Sequence, residues 1–232
     1  MRRPLEYGLI EAAMTRARDG TGGTGALLGA AASALEEIAS GRRELRAVRH
    51  PLGFLCLPVE REAERGVCVH VFGVRGPAAR HAAALTTSPV HAHSWDLASC
   101  VLYGQVGNLR VRVRESPERP THRVYEVRSG PASVDEIRPT PRLVTYEAGP
   151  EETSVGGEIY TLPAGHFHAT VVPPGTFAAT LLLGRSLPGR HDLSLGPVHG
   201  AVHRVVRLTC GAEQTARTAR TVLRRIHGHP SG

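Results

Sequence analysis

Histidines 91 and 93 stand one residue apart, and a second such pair, 166 and 168, follows farther along the chain. Side chains alternate faces along a β-strand, so two histidines at this spacing point the same way. A third imidazole brought beside them would complete one face of a metal site with coordination positions left open. Such donors suit Fe, Zn, Cu or Ni. The spacing alone decides nothing. The 13 histidines form three such pairs (91/93, 166/168 and 227/229), and chance predicts about 0.7 of one. The surroundings carry the weight. His91 and His93 follow Pro89 and precede Trp95 to Tyr103, a β-rich run that ends on Gly104. The second block reads Gly157, five residues, Pro163-Ala164-Gly165, two residues, His168: a turn that delivers a histidine into a strand. The last pair lies in a Gly-His-Pro-Ser-Gly tail that reads as disordered.

These two blocks resemble the paired motifs of the cupin superfamily. The family's first motif is a glycine, His-x-His, three or four residues, a glutamate, six residues and a glycine. Its second is a glycine, five residues, Pro-x-Gly, two residues, a histidine, three residues and an asparagine. The chain matches the first at His91, His93 and Gly104. It matches the second at Gly157, Pro163, Gly165 and His168, with Val172 in the asparagine place. The resemblance spans residues 50–185 and implies a cupin-type β-barrel or jelly roll. Two departures matter. The leading glycine falls on Leu85, and the glutamate would fall on Leu97 or Ala98, so the usual carboxylate ligand is missing. Asp96 is the nearest carboxylate; it would coordinate if the strand bends, or accept a hydrogen bond that orients a ring. A shell of His91, His93 and His168 is favoured. His166 sits in the turn, where it would contact substrate or form part of the rim.

Three-histidine cupin sites resemble those of thiol dioxygenases, where Fe(II) binds substrate and O₂ together. Fe(II) is therefore the first metal expected, with Zn, Ni, Cu and Mn as alternatives. Cys100 lies seven residues after His93, farther than the cysteine of those enzymes, and reads as core. Three neutral ligands leave the ion's charge uncompensated, which favours a small polar or anionic substrate. The leading reading is a mononuclear oxygenase. A metal-dependent isomerase, epimerase or lyase would need a base, with Asp96, His166 or a tyrosine such as Tyr160 as candidates. A non-catalytic small-molecule-binding cupin is the third reading.

Two further residues are substrate-binding candidates. His70, in the middle of Val67-Cys68-Val69-His70-Val71-Phe72, reads as a core histidine or a contact to substrate. Arg112 belongs to an arginine row (Arg110, Arg112, Arg114) alternating with Leu109, Val111 and Val113. Turned inward the row would make an anion pocket; turned outward it is a solvated face. Ser99 lacks the Gly-x-Ser-x-Gly elbow of a serine hydrolase.

The elements that must position these residues follow from texture. Residues 4–18 and 26–40 carry apolar positions at helical spacing, joined by Thr21-Gly22-Gly23-Thr24-Gly25. From residue 51 short β-rich runs follow one another: 54–59, 67–74, 100–103, 109–113, 124–127, 143–146, 159–162, 169–172 and 177–183. Turn residues such as Gly104, Gly107-Asn108, Gly149-Pro150 and Pro173-Pro174-Gly175 separate them, which argues for an all-β sandwich or barrel. Ala216, Ala219, Val222, Leu223 and Ile226 share one face of a C-terminal helix, with arginines on the rest. The domain reading is a helical extension at 1–47, a barrel at 48–208 and a helix with tail at 209–232. The helices would pad the barrel or support a homodimer.

Composition narrows the classes. All 28 basic residues are arginine and none is lysine, which excludes a Schiff-base lysine and a Walker A loop. Arginine dominance with abundant alanine and glycine points to a GC-rich, actinobacterial genome. The net charge of +7 suggests a basic surface, but aromatic residues are only 4% and no nucleic-acid motif occurs. The four cysteines are scattered without a CxxC pair and read as reduced, mostly buried thiols in a cytoplasmic protein. No signal-peptide or membrane-spanning run is evident.

Overall fold

The computed structural model describes residues 6–73, 85–130 and 133–228. Residues 4 and 5 of the first expected helix, Val74 of an expected strand and His229 of the tail pair lie outside them. Three helices form where helical periodicity places them: α1 (Tyr7–Arg18), α2 (Gly25–Ala39) and α3 (Ala212–His227). Each buries one stripe: Ile10, Ala13 and Met14; Leu27, Ala31, Leu35 and Ile38; Ala219, Val222 and Ile226. Spacings of three and four keep each stripe on one side. No helix among the described residues is long and apolar enough to cross a membrane.

The rest is antiparallel β-structure in two sheets. The first runs β1 (Val48–Arg49), β2 (Leu55–Glu62), β3 (Arg65–Phe72), β11 (Ala178–Ser186), β5 (Trp95–Tyr103), β9 (Ile159–Leu162). The second runs β13 (His203–Val206), β8 (Val134–Val155), β6 (Gln105–Glu115), β10 (His168–Val171), β4 (His91–Ala92), β12 (Asp192–Gly196), β7 (His122–Ser129). β7 also pairs with β8, so the strands from β8 round to β7 close into a ring. Closure removes exposed sheet edges there.

Alternation along the strands sorts residues between the layers. Leu55, Leu57, Val67, Val69, Val71, Leu181 and Leu183 of the first sheet share a core with the three helices. Arg220 of α3 adds a hydrogen bond to the Ala39 carbonyl at the α2 C-terminus, 3.0 Å, where the helix dipole favours a cation. The intervening residues Cys56, Cys68, His70, Ser99 and Thr180 therefore face the second sheet. That sheet keeps its own apolar cluster, including Val90, Val111, Val124, Val144, Ala169 and Leu195. Phe54, Phe72, Val106 and Ala178 join the sheets at one end.

Two expected turns are strand instead. Gly107 and Asn108 continue β6, paired with Thr153 and Glu152 on one side and with Val171 and Thr170 on the other. The turn falls at Gly104, whose φ is +78° and whose Cβ, if present, would lie 2.2 Å from the Phe177 carbonyl oxygen. Only glycine fits there. Gly149-Pro150 forms an irregularity within the 22-residue β8, opposite the register shift between Leu109 and Val111. Accommodating extra residues as a bulge lets a strand pass a proline without ending.

Candidate metal centre

His91 and His168 are direct register partners across β4 and β10, which puts their side chains on one face. His93 follows β4 by one residue, again on that face. Ring centroids are 4.3 Å apart for His91 and His168, 4.8 Å for His91 and His93, and 5.1 Å for His93 and His168. One nitrogen from each ring lies within 4.8 Å of the other two. Nitrogens bound to a common ion would be about 3.0–3.5 Å apart, given metal–nitrogen bonds of about 2.0–2.1 Å.

The donor chemistry fits a divalent ion. His91 Nδ1 is 2.9 Å from the Pro89 carbonyl oxygen, and His168 Nδ1 is 3.3 Å from that of His166. A carbonyl only accepts, so each Nδ1 carries the proton and each Nε2 keeps its lone pair. Burial lowers the pKa of all three. His168 is pushed down to about 3 by burial, then by His91. His93 falls well below the usual imidazole value through burial, then repulsion from the surrounding histidines. His91 is lowered by burial, with Pro89 and Asp192 acting in the opposite direction. All three are neutral donors at neutral pH.

The loops that carry these rings are clamped to each other. Gly165, at φ +80°, donates its N–H to the His93 carbonyl oxygen at 2.8 Å. Ala164 donates to Asp96 Oδ1 at 2.9 Å. The Pro-x-Gly turn of one motif is thus fastened to the strand entry of the other. On the opposite side Ser94 donates to Asp192 Oδ1 at 2.6 Å, and the His93 ring packs on Trp95, 4.4 Å between centroids.

The remaining candidates divide. Asp96 is exposed on β5 and stands outside the three-histidine group; its carboxylate accepts a hydrogen bond from the Ala164 N–H. His166 is exposed, and it is its carbonyl, not its ring, that reaches His168. Arg112 is exposed on β6 in register with Glu147, while Val111 and Val113 join the core. The arginine row is a solvated face, with Arg110 paired to Glu152 and Arg114 to Glu147. Tyr160 lies inside, facing Ser99, Asn108 and Thr180. Burial raises its pKa, so it is a proton donor at neutral pH. Ser99, Asn108 and Thr180 are buried polar residues gathered around the Tyr160 hydroxyl. Cys100 is fully buried in the helix-facing core. His70 is half-buried beside Cys56 and Cys68.

Sequence reasoning missed Asp192 and His50. Nothing around Asp192 signals its role. The His50 ring stacks on Phe54, 4.2 Å between centroids, and Phe54 contacts His70 at 4.6 Å. Leu52 N–H donates to His50 Nδ1 at 3.2 Å, so the proton of the neutral ring is on Nε2. Beside these rings opens a cavity of about 310 Å³ lined by Leu52, Phe54, Phe72, Pro89, Thr170 and Val172, among others.

No protein-family model matches the sequence, and no curated protein matches it. Among solved structures the chain is similar to a cupin superfamily protein from Desulfitobacterium hafniense. The identity is 8%, the TM-score 0.31, and the match covers 58% of this chain and 78% of that one. It is also similar to the polyketide cyclase RemF from Streptomyces resistomycificus, at 15% identity and TM-score 0.35 over 68% and 82% of the two chains. A third is KdgF from Halomonas sp., at 13% identity and TM-score 0.33 over 64% and 91%. Two antiparallel sheets holding three motif histidines together are what the cupin resemblance of the two motifs implies, and the chain adopts that arrangement.

Proposed function

We propose that the chain is a mononuclear metal-dependent oxygenase acting on a small molecule with an anionic or readily ionised end. The observation that carries this reading is the convergence of His91, His93 and His168 as neutral imidazoles with no carboxylate among them. A divalent ion held there, Fe(II) first, would supply open positions at which substrate and O₂ meet. The chain's own groups do the rest. Pro89 and the His166 carbonyl fix the ring tautomers. Neutral ligands leave the ion's charge to be balanced by the substrate. Ser99, Asn108, Thr180 and the Tyr160 hydroxyl offer polar contacts deeper in the interior. A cavity whose lining includes Leu52, Phe54, Phe72, Pro89 and Thr170 would give a small molecule room. A Lewis-acid isomerase or lyase is less well supported, because two of its candidate bases, Asp96 and His166, are exposed and the third, Tyr160, holds its proton.

The test is oxygen uptake by untagged protein restored with Fe(II) and offered a panel of small anionic metabolites. Substrate-dependent uptake that is absent with Zn(II) and absent from His168→Ala supports the reading. Turnover of a panel member without oxygen consumption overturns the oxygenase and favours the Lewis-acid alternative.

A further inference from the structure

We infer that Cys56, Cys68 and His70 form a second cation site, distinct in donor chemistry from the three-histidine group and suited to a soft ion such as Zn(II). Cys56 on β2 is the direct register partner of His70 on β3, and Cys68 precedes His70 by two residues. Strand alternation therefore puts all three side chains on one face. That face looks into the space between the sheets, because Leu55, Leu57, Val67, Val69 and Val71 take the helix side. The two sulfurs and one ring nitrogen lie within 4.8 Å of one another, and all three residues are half-buried.

The geometry disfavours the other use of two neighbouring thiols. Cys56 and Cys68 are diagonal across the strand pair, where Cα atoms are about 7–8 Å apart. A disulfide is not closed beyond about 7 Å without backbone movement, and both cysteines are free. A shared cation needs no such approach, since each sulfur sits about 2.3 Å from zinc. Two thiolates balance the charge of Zn(II), the imidazole completes three ligands, and the fourth position opens toward the interior. Thiolate donors select soft cations, whereas imidazoles suit borderline ones, so the two groups sort metals between them. The inference does not depend on the oxygenase reading.

Co(II) is the probe, because thiolate-to-cobalt charge-transfer absorption reports sulfur ligation that an all-histidine site lacks. Untagged apoprotein, reduced and anaerobic, is expected to bind two equivalents, one of them with the charge-transfer band. Cys56→Ser and Cys68→Ser each lose the band and one equivalent, while His168→Ala loses the other equivalent and keeps the band. Wild-type protein guards against a misfolded variant: Zn(II) should protect Cys56 and Cys68 from alkylation, read by mass spectrometry. A saturated wild-type protein without the band, a band undiminished in both serine variants, or alkylation of both cysteines unaffected by Zn(II) overturns the proposal.

Discussion

Replacing Asp96 by alanine separates a ligand from a positioning group. Its carboxylate is on the surface, 2.9 Å from the Ala164 N–H, one residue before the Gly165 N–H that holds the His93 carbonyl. A hydrogen bond to a charged acceptor contributes about 1.5–3 kcal/mol, and solvent exposure brings this one to about 1 kcal/mol. For a chain of this size that is a fall of about 2–4 °C in Tm. The effect on metal affinity passes through the turn before it reaches His168, so it should stay at about tenfold or less, the low end for groups outside the ligand shell. The assay pairs thermal unfolding of the apoprotein with anaerobic Fe(II) titration. A loss of affinity beyond about 100-fold, matching that of His168→Ala, would make Asp96 a ligand and refute the reasoning.

Three other outcomes are expected. The apoprotein should lose stability as pH falls from about 6.5 toward 3. The unfolded His168 protonates near 6.5 while the folded one stays neutral down to about 3, so the unfolded state binds the extra proton across that window. The slope contributed is roughly 1 kcal/mol per pH unit, and denaturant titrations across that range should show it shallower in His168→Gln. Gly104→Ala should cost about 3 kcal/mol or more, since the added Cβ would meet the Phe177 carbonyl oxygen at 2.2 Å; soluble yield and circular dichroism read it directly. Arg112→Ala should change stability by no more than about 0.5 kcal/mol and leave metal binding unchanged, because its side chain is on the exposed face.

The site was legible where local backbone chemistry writes it. His-x-His puts two rings on one face, and Pro163-Ala164-Gly165 is a turn whose glycine takes φ +80°. What pairs with what was not legible. The missing glutamate drew attention to Asp96 as a ligand, but its bond to Ala164 depends on bringing β5 and the Pro-x-Gly turn together. Cys68-x-His70 carries the same alternation signal as His91-x-His93. Its significance depends on the hairpin register that places Cys56 opposite His70, and a one-residue slip would turn Cys56 away. Gly107 and Gly149 read as turns because glycine marks turns most often. In β6 Gly107 instead makes room for the Glu151 side chain, and in β8 Gly149 passes close to the Arg110 carbonyl.

The central claim is that His91, His93 and His168 hold one divalent ion. Anaerobic Fe(II) binding by untagged apoprotein, compared with His91→Ala and His168→Ala, tests it most directly. The account predicts one equivalent bound in the wild-type protein without sulfur ligation, and at least about a 100-fold weakening in each variant. Full metal content in both variants, with the fold intact by circular dichroism, would contradict it.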